Sequence, residues 1–356
     1  MFVILDILGL FLCSFMSLFV FRKFAIYINL VDQPNERKHH TGAVPLVGGL
    51  AIFIVVFSYL IVFSETISSS ALYLFCAGTL LIVGVLDDLF DISFRVRLVI
   101  QVVISCLMMF VGELTLNNAG QLIGPFDLEF SYFCYLFTVV AVVGAINAFN
   151  MVDGIDGLLG ALATVTFTSL AILFYLNNQK SLAVFSTVIV VTTIPYILMN
   201  LGFPLGQRFK VFMGDAGSTV IGFTVIWLLL EGSQPEQNSA FSAVTALWLA
   251  AVPIIDAVST IARRVRKGQS PFQPDREHLH HILLRLGFSS RQALFVICTA
   301  SALLAAVGII AHIYQVPDYI MFYLFIALTL AYYFCMLRIW RISIHVRKFI
   351  KKINSK

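Results

Sequence analysis

Charged side chains are scarce in this chain. Asp, Glu, Lys and Arg make up 12% of its 356 residues, against 60% hydrophobic residues that include 33 Phe. A water-soluble protein of this length has no core large enough to bury so much apolar surface, which excludes a globular aqueous fold and points to a bilayer as solvent. Paired cysteine spacing is missing too. Cys13, Cys76, Cys106, Cys134, Cys298 and Cys335 each lie in or at the edge of an apolar run, which argues against metal and redox motifs and for small buried hydrophobes. The first apolar run has no basic segment before it and no small-residue cleavage signature, so residues 2–21 read as a retained span, not a removed signal peptide. No internal repeat or long linker divides the sequence, so residues 1–356 read as a single transmembrane domain with a basic tail at 338–356. That tail spaces Ile and Phe among its Lys and Arg, the pattern of an amphipathic helix on a membrane surface. The net charge of +4 belongs to basic loops and tail facing anionic headgroups and gives no ground for nucleic acid binding.

Apolar runs are abundant. With about 20 residues needed to span a bilayer and shorter runs allowed, eleven candidates lie near 2–21, 46–64, 71–86, 98–112, 131–148, 158–176, 181–200, 217–231, 241–261, 292–313 and 318–337. Of the 23 Lys and Arg residues, only Lys180 falls outside one alternating set of gaps. Short cytoplasmic loops retain Lys and Arg, so the set holding Arg22, Arg37, Arg95, Arg208 and Arg263 faces the cytoplasm. The expectation is an all-α polytopic integral membrane protein of the bacterial inner membrane, with about eleven transmembrane helices, a periplasmic N-terminus and a cytoplasmic C-terminus. The longest outer segment, 113–130, carries Asn117, Asn118, Gly120, Gly124 and Pro125, which favour turns or a short hairpin.

Four polar motifs fall on the basic side. Asp87, Asp88 and Asp91, with Arg95 and Arg97 close behind, follow directly on an apolar run. Carboxylates within one turn repel, and ionised groups at a membrane boundary are costly, so a functional site and a solvated helix end are the two readings. The second motif sets Asn147, Asn150, Asp153 and Asp156 at successive intervals of three, with Gly154 and Gly157 after the two Asp residues. Oxygen ligands on one face suit Mg²⁺, and glycine lets backbone approach a ligand; a plain helix break explains only the glycines. In the third, Gly214 and Gly217 flank Asp215 ahead of Ser218, which fits a phosphate and metal site or an ordinary N-cap. The fourth places Arg276, His278, His280 and His281 in the most basic loop. Usual zinc spacing is absent, leaving diphosphate-binding donors or solvated histidines. Between the first two runs, Arg37, Lys38, His39 and His40 fit either positive-inside retention or phosphate contact.

These motifs, written DDLFD, NAFNMVDGIDGL, VFMGDAGS and PDREHLHH and preceded by PNERKHHTGAVPLVGG, resemble in order and sidedness the polyprenyl-phosphate N-acetylhexosamine-1-phosphate transferase family over nearly the whole chain. The resemblance implies transfer of a sugar 1-phosphate from a UDP-sugar to a polyprenyl phosphate, with release of UMP and a requirement for Mg²⁺, for which Mn²⁺ substitutes. It implies UDP-N-acetylglucosamine and undecaprenyl phosphate as substrates, at the membrane step that initiates a cell-surface polysaccharide such as O-antigen or a common antigen. Relatives using a peptide-bearing donor carry three adjacent histidines, whereas Leu279 interrupts the run here; this favours a small amino sugar and leaves another UDP-N-acetylhexosamine open.

By the same resemblance Asp215 and Asn150 are metal ligands, and Asp87, Asp88 and Asp215 are the catalytic candidates. Asp87 would accept a proton from the lipid phosphate or orient it, with Asp88 supporting metal or acceptor placement. Lys38, Asp91, Arg97, Asp153, Gly154, Asp156, Phe212, Arg276, His278, His280 and His281 are the substrate-binding candidates. Arg97 would hold phosphate, Phe212 would stack on uracil, and Asp156 would accept from base or ribose; Asp153 stays unassigned between metal and nucleotide. An ion-coupled transporter and a non-catalytic scaffold are the competing classes, and the absence of an inverted repeat argues against the first. Oligomeric state is left open, a homo-oligomer included.

Overall fold

The computed structural model describes residues 4–33, 42–124, 126–234, 238–271 and 277–338. The chain is a bundle of thirteen α-helices among the described residues: α1 (Ile4–Tyr27), α2 (Gly48–Val62), α3 (Ser70–Phe90), α4 (Phe94–Phe110), α5 (Cys134–Met151), α6 (Leu158–Leu176), α7 (Lys180–Asn200), α8 (Gly214–Ser233), α9 (Ala243–Leu249), α10 (Ala251–Arg266), α11 (Leu279–Arg285), α12 (Ser290–Ile313) and α13 (Asp318–Leu337). Every one of the eleven apolar runs is helical. Among the described residues, eight helices are long and apolar enough to cross a membrane: α1, α3, α5, α6, α7, α8, α12 and α13. A ninth is obtained if α9 and α10 form one span, bent by 88° at their junction. The 15 residues of α2 and 17 of α4 fall short of the length an untilted span requires.

The 241–261 run is therefore two helices where the sequence suggested one. Pro253 lies in the first turn of α10, where a missing N–H is tolerated, whereas in a continuous helix it would leave a carbonyl one turn earlier unpaired. The chain turns at Ala250 instead.

At the centre stands α8. Its apolar window is 94% buried, against 11% for α1 and 17% for α13, so α8 is the hub and the other two present apolar surface outward. Small residues let its neighbours come close. A Cβ on Gly49 of α2 would stand 2.2 Å from the Gly217 Cα, and one on Gly84 of α3 would stand 2.3 Å from the Ala216 Cα. On a third side, a Cβ on Gly222 would meet the Ile146 Cα of α5 at 2.8 Å. The first turn of α8 is thus clamped by α2 and α3 through backbone contact.

The loop between α1 and α2 closes onto the same end. Its strands β1 (Val31–Asp32) and β2 (Val44–Pro45) pair antiparallel. Phe212 N–H then donates to the Pro45 carbonyl at 2.8 Å, and Val47 and Gly48 N–H donate to the Phe212 carbonyl at 3.0 and 2.9 Å. At the far end of the bundle, buried Glu231 accepts from Ser68 N–H at 2.7 Å and from Trp227 Nε1–H at 3.0 Å. The 113–130 segment forms the expected small hairpin there, with an antiparallel bridge between Asn118 and Glu129.

Candidate active site

Four helix ends meet where α8 begins: the C-termini of α3 and α5 and the N-termini of α4 and α8. Gly214, at φ +74°, takes a backbone conformation that side chains rarely adopt and turns the chain into α8. Asp88, from the last turn of α3, accepts from Asp215 N–H at 3.1 Å and so serves the α8 N-terminus as an anionic cap supplied by another helix. One turn into α4, Arg97 donates through a single nitrogen to both Asp87 and Asp215, the latter at 3.1 Å. From α5, the Asn150 amide nitrogen donates to Asp215 Oδ1 and to Ser218 Oγ, each at 2.8 Å. Asn147, one turn earlier, donates to Gln101 Oε1 at 2.8 Å and ties α5 to α4. The sequence motifs around Asp87, Asn150 and Asp215 therefore form one cluster.

Charge in this cluster is unbalanced. Two carboxylates, Asp87 and Asp215, share the Arg97 guanidinium, and a third, Asp88, has beside it a helix N-terminus that supplies only about half an elementary charge. Asp88 Oδ2 is buried and without a hydrogen-bond partner. An orphaned buried carboxylate oxygen beside an acidic cluster fits a cation. Among the described residues no three His, Cys, Asp or Glu side chains are disposed to hold a metal ion by themselves.

The second group lies on the 152–157 turn and the strand-like segment before α8. Lys210 Nζ is 2.6 Å from Asp156 Oδ2 and 5.1 Å from the centre of the Phe212 ring, so an ammonium is held by both a carboxylate and an aromatic face. Asp153 reaches solvent but is crowded by protein, and its carboxyl is pushed up to about 7, first by loss of water and then by the Asp215 and Asp156 charges. Asn200 fixes the turn, accepting from Gly157 N–H at 2.5 Å and donating to the Val211 carbonyl at 2.7 Å.

The histidines close the site from α11. A Cβ on Gly154 would lie 2.0 Å from His280 Nε2, so the imidazole rests on the backbone of the 152–157 turn. Burial, with smaller effects from His281 and His278, drives the His280 pKa from 6.5 down to about 3; the ring is neutral at pH 7, and its Nε2 is buried without a partner. His281 packs on His280 with ring centres 4.1 Å apart. His278 Nδ1 lies 2.8 Å from Asp256 Oδ2, with both side chains buried.

Most sequence candidates thus fall at this end of the bundle. Asp91 is the exception: it is the exposed, left-handed C-cap of α3, its N–H donates to the Asp87 carbonyl as the helix ends, and among the described residues no hydrogen bond or ion pair joins its carboxylate to that of Asp87, Asp88 or Asp215. Lys38 and Arg276 lie outside the described residues, as does the tail beyond 338. Sequence reasoning passed over Lys210, hidden among ordinary inner-loop cations, and Asp256. The signal for Asp256 was available, since a lone acid inside an apolar run calls for a partner.

A bundle of membrane-capable helices that gathers carboxylates, one guanidinium, amides and histidines at a single end has the make-up of a membrane transferase for phosphorylated substrates. Residues 70–233, which contain three of the four motifs, match the family model described as glycosyl transferase family 4. The chain is 47% identical over 351 residues to the undecaprenyl-phosphate alpha-N-acetylglucosaminyl 1-phosphate transferase of Yersinia pestis, covering 98% of this chain and 95% of the relative. It is 46% identical to the proteins of that name from Salmonella typhi, over 99% of this chain and 94% of the relative, and Pasteurella multocida, over 99% of each. The chain belongs to this family of polyprenyl-phosphate N-acetylhexosamine-1-phosphate transferases and is a glycosyl-1-phosphate transferase.

Proposed function

We propose that the chain transfers N-acetylglucosamine 1-phosphate from UDP-N-acetylglucosamine to undecaprenyl phosphate, giving undecaprenyl-diphospho-N-acetylglucosamine and UMP. The observation that carries this reading is Arg97 bound to both Asp87 and Asp215 at the start of α8, beside an unpaired Asp88 oxygen. The names of the relatives support the substrates. The site is read as lying on the cytoplasmic face of a bacterial inner membrane, in a single domain whose N-terminus is periplasmic.

A lipid phosphate oxygen attacks the sugar-bearing phosphorus, that bond forms, the bond to the bridging oxygen breaks, and UMP leaves with the electron pair. The acceptor's second pKa is about 6, so at pH 7 it is mostly dianionic and needs orientation more than deprotonation. Asp87 and Arg97 supply it: Arg97 exchanges part of its carboxylate pairing for phosphate oxygens while Asp87 keeps the guanidinium in place. Asp215 and Asn150 would hold Mg²⁺, or Mn²⁺ in its place, and Asp88 steadies Asp215 by accepting from its N–H. When bound, the cation neutralises charge building on the diphosphate. On the nucleotide side, Phe212 stacks on uracil, and Asp156 and Lys210 contact the ribose or base edge and the nearby phosphate. Gly154 leaves room for His280, and the three histidines flank the diphosphate and sugar. Direct attack is preferred to a covalent aspartyl intermediate because alignment by cation and arginine suffices.

The test is a donor panel with purified protein in lipid nanodiscs containing undecaprenyl phosphate and Mg²⁺. UMP release with UDP-N-acetylglucosamine, dependent on the lipid acceptor and exceeding release with UDP-N-acetylgalactosamine or UDP-N-acetylmuramoyl-pentapeptide, is expected. No release from folded protein with any donor would refute the reading.

A further inference from the structure

Inside the bent pair α9 and α10, Asp256 is 2% exposed, a placement in which an ionised carboxylate is costly unless it is saturated with hydrogen bonds. It is saturated, by donors from two other elements. His278 Nδ1 lies 2.8 Å from Oδ2, Leu279 N–H donates to Oδ1 at 3.1 Å, and the Tyr332 hydroxyl of α13 donates to Oδ1 at 2.5 Å. The N-cap of α11, His278, makes no side-chain capping bond, and the Asp256 carboxylate takes up the N–H of Leu279, one of the backbone donors that a helix start leaves unpaired. One carboxylate thereby fixes the orientation of the His278 ring, its Nδ1–H tautomer and the starting point of the helix that carries His280 and His281. The neighbouring Arg263 reinforces the joint, donating to the Glu277 carbonyl at 2.6 Å and pairing with its carboxylate at 3.3 Å.

We infer that Asp256, braced by Tyr332, is a positioning residue for the sugar-nucleotide donor: it acts through His278 and the first turn of α11 to hold the histidines over the 152–157 turn. The inference rests on the proposed reaction for its substrate and on the hydrogen-bond geometry for its residues. The physical reason is one of stiffness. A seven-residue helix such as α11 has little stability of its own, so its place must come from tertiary anchors, and Asp256 supplies two of them, one to the His278 ring and one to the Leu279 N–H, while Tyr332 holds the carboxylate itself. Sequence alone suggests no such pairing, since Asp256 lies 22 residues from His278 and 76 from Tyr332.

Asp256→Asn, His278→Gln, the double variant, Tyr332→Phe and Asp256→Glu are compared with the parent protein in nanodiscs. Asp256→Asn is expected to raise the KM for UDP-N-acetylglucosamine about tenfold while the KM for undecaprenyl phosphate stays within about twofold. In the His278→Gln background it should add less than about twofold, because coupled residues do not act additively. Asp256→Glu should recover part of the loss, and Tyr332→Phe should show a smaller change of the same kind. Equal rises in both KM values, or full multiplicative effects in the double variant, overturn the inference in favour of a purely structural residue. Parent-like kinetics for Asp256→Asn overturn it too. Should the parent protein itself show no transfer, the proposed reaction fails and a separate readout decides: solid-state ¹⁵N spectra of histidine-labelled protein. A His278 Nδ1–H signal that changes in Asp256→Asn supports the anchor, and an unchanged one overturns it.

Discussion

Arg97 joins two carboxylates that lie ten and 118 positions away in sequence, Asp87 at the end of α3 and Asp215 at the start of α8. This bridge makes a cluster of what would otherwise be adjacent helix ends, because it holds like charges together around one guanidinium. The carboxylates still outnumber the cation, which leaves the cluster ready for a metal ion and an anionic substrate together.

Asp215→Asn keeps the shape of the side chain and its place at the α8 N-terminus while removing charge. Turnover is expected to fall by about 10²–10³, the order seen when one electrostatic group is removed from a transition state. Addition of Mg²⁺ should raise the melting temperature of the parent protein, and chelation should reverse it, with a much smaller response in the variant. Normal turnover would remove Asp215 from the proposed machinery.

Gly154→Ala adds a single carbon 2.0 Å from His280 Nε2, well inside contact distance. The imidazole must be displaced, since the backbone of the 152–157 turn is fixed by Asn200. Transfer activity should drop at least tenfold with the melting temperature lowered by only a few degrees. A fully active variant would show that the packing of His280 on this turn is irrelevant to the reaction.

The neutrality of buried His280 sets a pH dependence of stability. Its folded pKa is about 3 against an ordinary 6.5, so below pH 6.5 the unfolded chain binds a proton that the folded protein refuses. That contribution to stability is complete above pH 6.5 and is lost progressively as pH falls toward 3. Asp153, held up at about 7 in the fold, works in the opposite sense, gaining stability as pH falls from 7, but it is common to both proteins compared. Between pH 7.5 and 5, the parent protein should therefore lose more thermal stability than His280→Asn. An equal loss in the two proteins would contradict a neutral buried ring.

Gly84→Ala tests the clamp on α8. The added Cβ would stand 2.3 Å from a backbone Cα and 2.4 Å from a backbone nitrogen, neither of which can rotate aside as a side chain would. A loss of about 1–3 kcal/mol is expected from overpacking, read as a lower melting temperature, with activity falling because α3 also carries Asp87 and Asp88. Unchanged stability would mean that α3 and α8 separate freely at this point.

Composition and the length of the apolar runs made the helices legible, because a segment facing lipid must satisfy its backbone internally and the run itself marks it. Every apolar run became helical for that reason. The break at Ala250 was not legible, since apolar residues continue without interruption across it and a proline fits either a kinked span or the first turn of a new helix. Within the site, residues close in sequence to a motif were found, including Asn150 beside Asp153 and Phe212 beside Asp215. Those joined only through space were missed. Lys210 gains meaning from the Asp156 carboxylate 54 positions away, and Asp256 from the partners it meets in the fold.

The sequence by itself determined that this chain is a helical membrane protein whose acidic, amide and histidine motifs share the basic side, because charge and hydropathy are local properties that each segment carries with it. Only the tertiary structure decided which groups touch: that Arg97 bridges Asp87 and Asp215, that Asp88 caps a helix other than its own, and that His280 lies on Gly154. Those contacts depend on close helix crossings at Gly49, Gly84 and Gly217, and the distance between two helices is a property of the pair, written in neither segment alone.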